Sequence, residues 1–151
     1  MLIEIFAFIN LLFTGLLAGE EFVICYGLRS SISALDAESG IRLRQDLIRK
    51  LRILVTSMFF SALLSGIVVV LFCANRPGEA LRWAGVFFLV VFISITLGGT
   101  VPINKAALAW EPGAPPDGWR FMISRWERLD VARTWAAIGA FSLFLGGGLF
   151  G

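Results

Sequence analysis

The chain contains no histidine. That removes the commonest ligand for zinc, copper, haem iron and non-haem iron, and the commonest general base near neutral pH. Cysteine is nearly as scarce. Cys25 and Cys73 stand alone, without CxxC spacing, so only two thiols or a few carboxylates are left to hold a metal, and none is expected. Charge is thin too: 16% of residues are charged and 58% are hydrophobic, with a mean hydropathy of +0.83. Such a composition excludes an ordinary soluble domain and places the chain in the membrane class. The net charge is only +2. The basic residues flank apolar stretches rather than forming a stripe on a soluble face, which excludes a nucleic-acid footprint.

What remains is organised into four long apolar runs, about Leu2–Tyr26, Ile53–Ala74, Trp83–Val101 and Thr134–Phe150. Each is close to the roughly 20 residues that cross a bilayer as a helix. The runs do not alternate apolar and polar residues, so a barrel strand is not expected. The first has no basic n-region and no A-x-A site, and it reads as a retained helix rather than a signal peptide. The spacing predicts an all-α membrane protein: residues 1–151 as one four-helix transmembrane domain, with a short amphipathic helix on the cytoplasmic side. That helix is IRLRQDLIRKLRIL, in which Ile41, Leu43, Leu47, Ile48 and Leu51 oppose Arg42, Gln45, Asp46, Arg49 and Lys50. It either lies at the interface or leads into the second span.

The basic residues are distributed unequally. The first connection holds Arg29, Arg42, Arg44, Arg49, Lys50 and Arg52, and the third, with the start of the last helix, holds Lys105, Arg120, Arg125, Arg128 and Arg133. The second connection holds only Arg76 and Arg82. Eleven against two puts the first and third connections in the cytoplasm and both termini outside it, as expected of a bacterial inner-membrane protein. Small residues at Gly15 and Gly19, and at Ser57, Ser61 and Ser65, suit close helix packing. Cys25 and Cys73 fall at opposite ends of their spans, too far apart for a disulfide.

Glu20 and Glu21 interrupt the first run at LLAGEEFVI. A carboxylate in hydrocarbon costs at least a few kcal/mol, and such charges usually pair or line a wet cavity. Asn104, Lys105, Arg125, Arg128 and Arg133 belong at the same depth. Trp126, Asp130 and Arg133 share one helix face at i, i+4 and i+7, while Arg125 and Arg128 occupy a neighbouring face. Adjacent glutamates point about 100° apart, so one is expected to face the bundle and the other the interface. The inward one is expected against an arginine of the last helix. Two readings follow: a salt-bridge network that locks the helices, or a binding pocket at the cytoplasmic mouth. Trp119, Trp126 and Trp135 either line that pocket or sit at the interface. Pro102 is expected to loosen the third span near Gly98 and Gly99.

Three segments, read in order, resemble the anthrone oxygenase family of small four-helix membrane proteins. They are GLLAGEEF (15–22), RQDLIRKL (44–51), and VPIN (101–104) followed by RWERLDVAR (125–133). The family often has a His-Pro pair where this chain reads Tyr26-Gly27, and a histidine where it has Asp130. The resemblance implies oxygenation of a polycyclic phenolic substrate, anthrone to anthraquinone, with no metal, flavin or other cofactor. It implies Glu21, Asn104 and Arg133 as the catalytic set, with Glu21 as base and as the inward carboxylate of the adjacent pair, within salt-bridge range of Arg133 or Arg125. Arg125, Trp126 and Asp130 are the corresponding substrate-binding set, Arg125 helping to hold oxygens and Trp126 stacking on the rings. Expected partners are membrane lipid, a hydrophobic aromatic ligand, and a homo-oligomer or larger membrane complex. The alternative is a non-catalytic accessory subunit of such a complex.

Overall fold

A computed structural model describes residues 1–150 of the chain. Among them every regular element is helical. Four helices are long and apolar enough to cross a membrane: α1 (Leu2–Ser33), α2 (Ala37–Phe72), α3 (Glu79–Leu108) and α4 (Trp119–Leu149). Helices are the natural outcome for such runs, because a spanning segment in lipid must satisfy its own backbone groups. The helices form a closed up-and-down square, α1 against α2 and α4, and α3 against α4 and α2. The α2–α3 seam is the thinnest of the four.

The helices overrun the apolar stretches, and α2 does so most. At 1.5 Å per residue its 36 residues span about 54 Å, against roughly 30 Å of hydrocarbon. The amphipathic segment is therefore not a separate helix but the first half of α2, leading straight into the second span. Asp36 caps it, accepting a hydrogen bond from the Ser39 N–H at 3.0 Å. Gln45, on the expected polar face, is instead buried. Its amide donates to the carbonyls of Ala107 and Trp110, each at 2.9 Å. A small second core of Ile41, Ala107 and Trp110 seals that junction.

The main core lies between all four helices, around Leu17, Phe59, Leu89, Phe92, Ala140 and Phe144. Phe59 and Phe92 stack at 5.7 Å across α2 and α3. Small residues set the helix separation at one point above all. A Cβ at either Gly66 or Gly85 would come within 2.8 Å of the Phe144 ring, so that ring is clamped between two bare backbones. Of the expected glycine pair, Gly15 packs on Phe141 while Gly19 has open space. Along α2, Ser65 is buried and Ser57 is exposed. Asn10 is 1% exposed and donates to the Ala62 carbonyl at 2.9 Å, which satisfies a polar side chain inside the bundle. Cys25 and Cys73 are free thiols.

Ile3, Cys73, Arg82 and Gly148 share one end of the bundle. Arg82 donates there to the carbonyls of Pro77, at 2.9 Å, and Gly147, capping the last turn of α4. Both termini are thus at the end opposite the arginine-rich connections.

Candidate functional site

At the arginine-rich end, two of the spanning helices lose regular α geometry. Val23–Leu28 in α1 and Thr96–Thr100 in α3 are single π turns. Insertions of this kind are frequent at functional sites. The second has a visible cause. Pro102 has no N–H to offer the Gly98 carbonyl, so the ladder opens before it, and the Val101 N–H bonds to Thr96, five residues back. The loosening expected near Gly98 and Gly99 is this turn. Nearby hydroxyls help to satisfy it: Thr96 donates to the Phe92 carbonyl at 2.8 Å and Thr100 to the Thr96 carbonyl at 3.1 Å.

The first π turn changes which residues face inward. On a regular helix Arg29 would lie about 80° from Glu21, and one inserted residue brings it within about 20°. Arg29 therefore reaches α4, where it donates to the Glu127 carbonyl at 2.9 Å and lies 3.9 Å from the Asp130 carboxylate.

Three ion pairs tie α1 and α2 to α4. Glu21 pairs with Arg133, Asp130 with Arg29, and Glu127 with Arg44 at 4.0 Å. Glu21 and Arg133 are 2% and 7% exposed, so each charge depends on the other. Arg133 also donates to the Thr100 hydroxyl at 3.2 Å and lies 4.9 Å from the centre of the Phe92 ring. The guanidinium thus joins α1, α3 and α4. Thr134, fully buried, braces the same crossing by donating to the Glu21 carbonyl at 3.3 Å.

Beside these pairs lies a cavity of about 230 Å³. A cavity of about 150 Å³ accommodates benzene, so a larger aromatic fragment fits. Its lining is mostly apolar, from residues such as Ile24, Leu47, Leu51 and Val101. The lining residues Arg52 and Thr56 of α2 and Lys105 of α3 are exposed, which opens it along the thin α2–α3 seam.

Six buried side-chain atoms have no hydrogen-bond partner among the described residues: Glu20 Oε2, Glu21 Oε2, Arg29 Nε, Trp126 Nε1, Asp130 Oδ2 and Arg133 Nε. All six belong to residues lining this one cavity. Buried polar groups are nearly always paired, and unpaired ones call for an explanation. A network whose whole role was to lock helices would have no reason to collect them around one opening.

Most of the expected site residues meet here. Glu21, Asn104, Trp126, Asp130 and Arg133 all line the cavity. Arg125 does not: it is exposed and outside the lining, because it lies about 100° from Trp126 on α4. Glu20, expected to look toward the interface, lines the cavity as well. Of the three tryptophans only Trp126 belongs to it. One face of its indole carries the Arg44 guanidinium, 4.7 Å from the ring centre. Trp119 packs edge-on to Trp110 at 6.5 Å, and Trp135 is exposed, donating to the Tyr26 hydroxyl at 3.1 Å.

Arg29, Arg44, Glu127 and Thr100 were not singled out by sequence. Arg44 did carry a signal, since it precedes Leu47 and Leu51 at i+3 and i+7 and these line the same cavity. The π-shifted Arg29 carried none.

A family model described as anthrone oxygenase matches residues 50–143, more than half of the chain. The match includes Asn104, Trp126, Asp130 and Arg133 and leaves Glu20 and Glu21 outside. No curated protein and no solved structure matches the chain.

Proposed function

The chain belongs to the anthrone oxygenase family, and from that premise we propose that it is a cofactor-independent oxygenase of membrane-dissolved polycyclic phenols. The reading is carried by the gathering of six buried polar atoms without hydrogen bonds around one largely apolar cavity. In the proposed reaction the methylene carbon of an anthrone loses a proton to a base, and the carbanion reduces dioxygen. One oxygen atom remains on that carbon as the new carbonyl. The other leaves as water with the two methylene hydrogens. Asn104 and Arg133 act on the substrate directly, and Glu21 holds Arg133 in place through their ion pair. Asn104 and Arg133 face the oxygen on which negative charge develops, and preorganised donors of this kind contribute most when water is excluded. Trp126 offers its unpartnered N–H and the ring on which Arg44 stacks, and Asp130 orients Arg29 beside it. Arg125 adds only positive potential from the surface.

The test uses the purified protein in lipid nanodiscs with anthrone in air. Oxygen uptake and anthraquinone absorbance should rise in parallel, above the spontaneous rate, without added flavin and in the presence of a chelator. Arg133→Gln should lower kcat by about 10²-fold or more, as removal of a single oxyanion donor does. A protein that consumes no oxygen above background would be a non-catalytic binder or accessory subunit.

A further inference from the structure

Resting on that oxygenase reading, we infer that the proton acceptor is Glu20 rather than Glu21. The two adjacent carboxylates are in different situations. Glu21 is 2% exposed, and Arg133 binds its Oε1. Putting a proton on Glu21 would strand the Arg133 charge in a buried site, which is costly. Glu20 lines the same cavity and makes no ion pair among the described residues. Its Oε2 is one of the six unpartnered atoms. It is also half-buried rather than sealed, and the cavity it lines opens beside the exposed Arg52 and Lys105, so a proton it collects has a way out. A base that turns over needs both properties: an oxygen presented to the substrate, and a route by which its proton leaves.

The step balances within the site. The substrate C–H bond breaks and its proton forms an O–H bond on Glu20. The electron pair stays on the substrate, delocalised onto its ring oxygen, where Asn104 and Arg133 face it. The substrate class is accordingly a carbon acid whose anion is an aromatic oxyanion. Glu21 becomes a positioning residue that holds Arg133 against Thr100 and Phe92. This division explains why two glutamates stand side by side in an apolar helix: one is committed to the ion pair and the other is left available.

Proton abstraction can be separated from oxygen chemistry by working anaerobically. Anthrone is mixed with the nanodisc protein in deuterated buffer without oxygen, and loss of the methylene proton signal is followed by NMR. Wild type should accelerate exchange above the buffer rate, and its pH profile should rise along a single limb. Glu20→Gln should lower both the catalysed exchange and aerobic kcat by about 10²-fold or more, the usual contribution of a general base. Its KM and thermal midpoint should stay near wild type, and the acid limb should flatten. Glu20→Asp should restore part of the exchange. If Glu20→Gln exchanges as fast as wild type while the wild type still oxygenates anthrone, Glu20 is not the base and this inference fails alone. If the wild type neither exchanges protons nor consumes oxygen above background, the oxygenase reading itself fails.

Discussion

Replacing Glu21 by alanine removes one half of an ion pair and leaves the other half inside the bundle. Both side chains are almost fully buried, so the loss should amount to roughly 3–5 kcal/mol. Arg133→Ala should cost a similar amount, since it strands the buried Glu21 carboxylate in turn. The double variant Glu21→Ala/Arg133→Ala should be less destabilised than the sum of the two single variants, because no charge is stranded. Thermal midpoints in detergent decide it, and additive losses would mean that the pair is not coupled. That these two residues meet was legible in the sequence. Their depths match when α1 runs toward the arginine-rich end and α4 runs away from it, and Arg133 shares a helical phase with Trp126 and Asp130. Phase also explains why Arg125 fails to join them. Matching depth is necessary for a contact, but the 100° step between neighbours on a helix decides which side chain makes it.

At the scale of elements, the two π turns account for most of what sequence periodicity did not reach. A hydrophobic pattern is read at 3.6 residues per turn, and one inserted residue rotates everything beyond it. Pro102 gave warning of the second turn. The first contains Gly27, but glycine in a helix has many causes, and nothing local announces the shift that aims Arg29 inward. Pro102→Ala restores a backbone donor and should let Thr96–Thr100 revert toward regular α-helix, carrying Thr100 away from Arg133. The expected result is an unchanged or higher thermal midpoint with reduced turnover. A variant with full activity would show that the π turn is not needed for the site. The start of α2 offers a gentler test. Asp36 lies outside the spans, and the Ser39 N–H holds its carboxyl below the usual carboxylate range. Its folded-state affinity for a proton is thus reduced. The cap should be fully formed near neutrality and lost as acid titrates Asp36, seen as faster amide exchange in the first turn of α2. Asp36→Ala should abolish that pH dependence.

The orientation of the whole molecule follows from where its basic residues lie. The cavity end carries Arg29, Arg44, Arg52, Lys105 and Arg133 in its lining alone. The opposite end holds Arg76 and Arg82, and Arg82 is buried against backbone carbonyls rather than presented to a membrane surface. Lys and Arg near span ends hinder translocation of the segment that carries them, so the cavity end should remain in the cytoplasm and both termini should lie outside. Single cysteines introduced into a background lacking Cys25 and Cys73 can read this out. Ser39 and Gly113 mark the cavity end and Ala80 the other, all three at exposed positions, and a Cβ at Gly113 meets no neighbour within 4 Å. An impermeant maleimide should label Ala80→Cys on intact cells, and Ser39→Cys and Gly113→Cys only after permeabilisation. The reverse pattern would put the cavity on the outer face. The substrate route depends on the result. With the cavity at the cytoplasmic surface, its α2–α3 opening faces the inner leaflet at the depth of Arg52 and Lys105. A polycyclic phenol made in the cytoplasm and partitioned into that leaflet would then enter sideways, its apolar rings never leaving hydrocarbon until they reach Trp126.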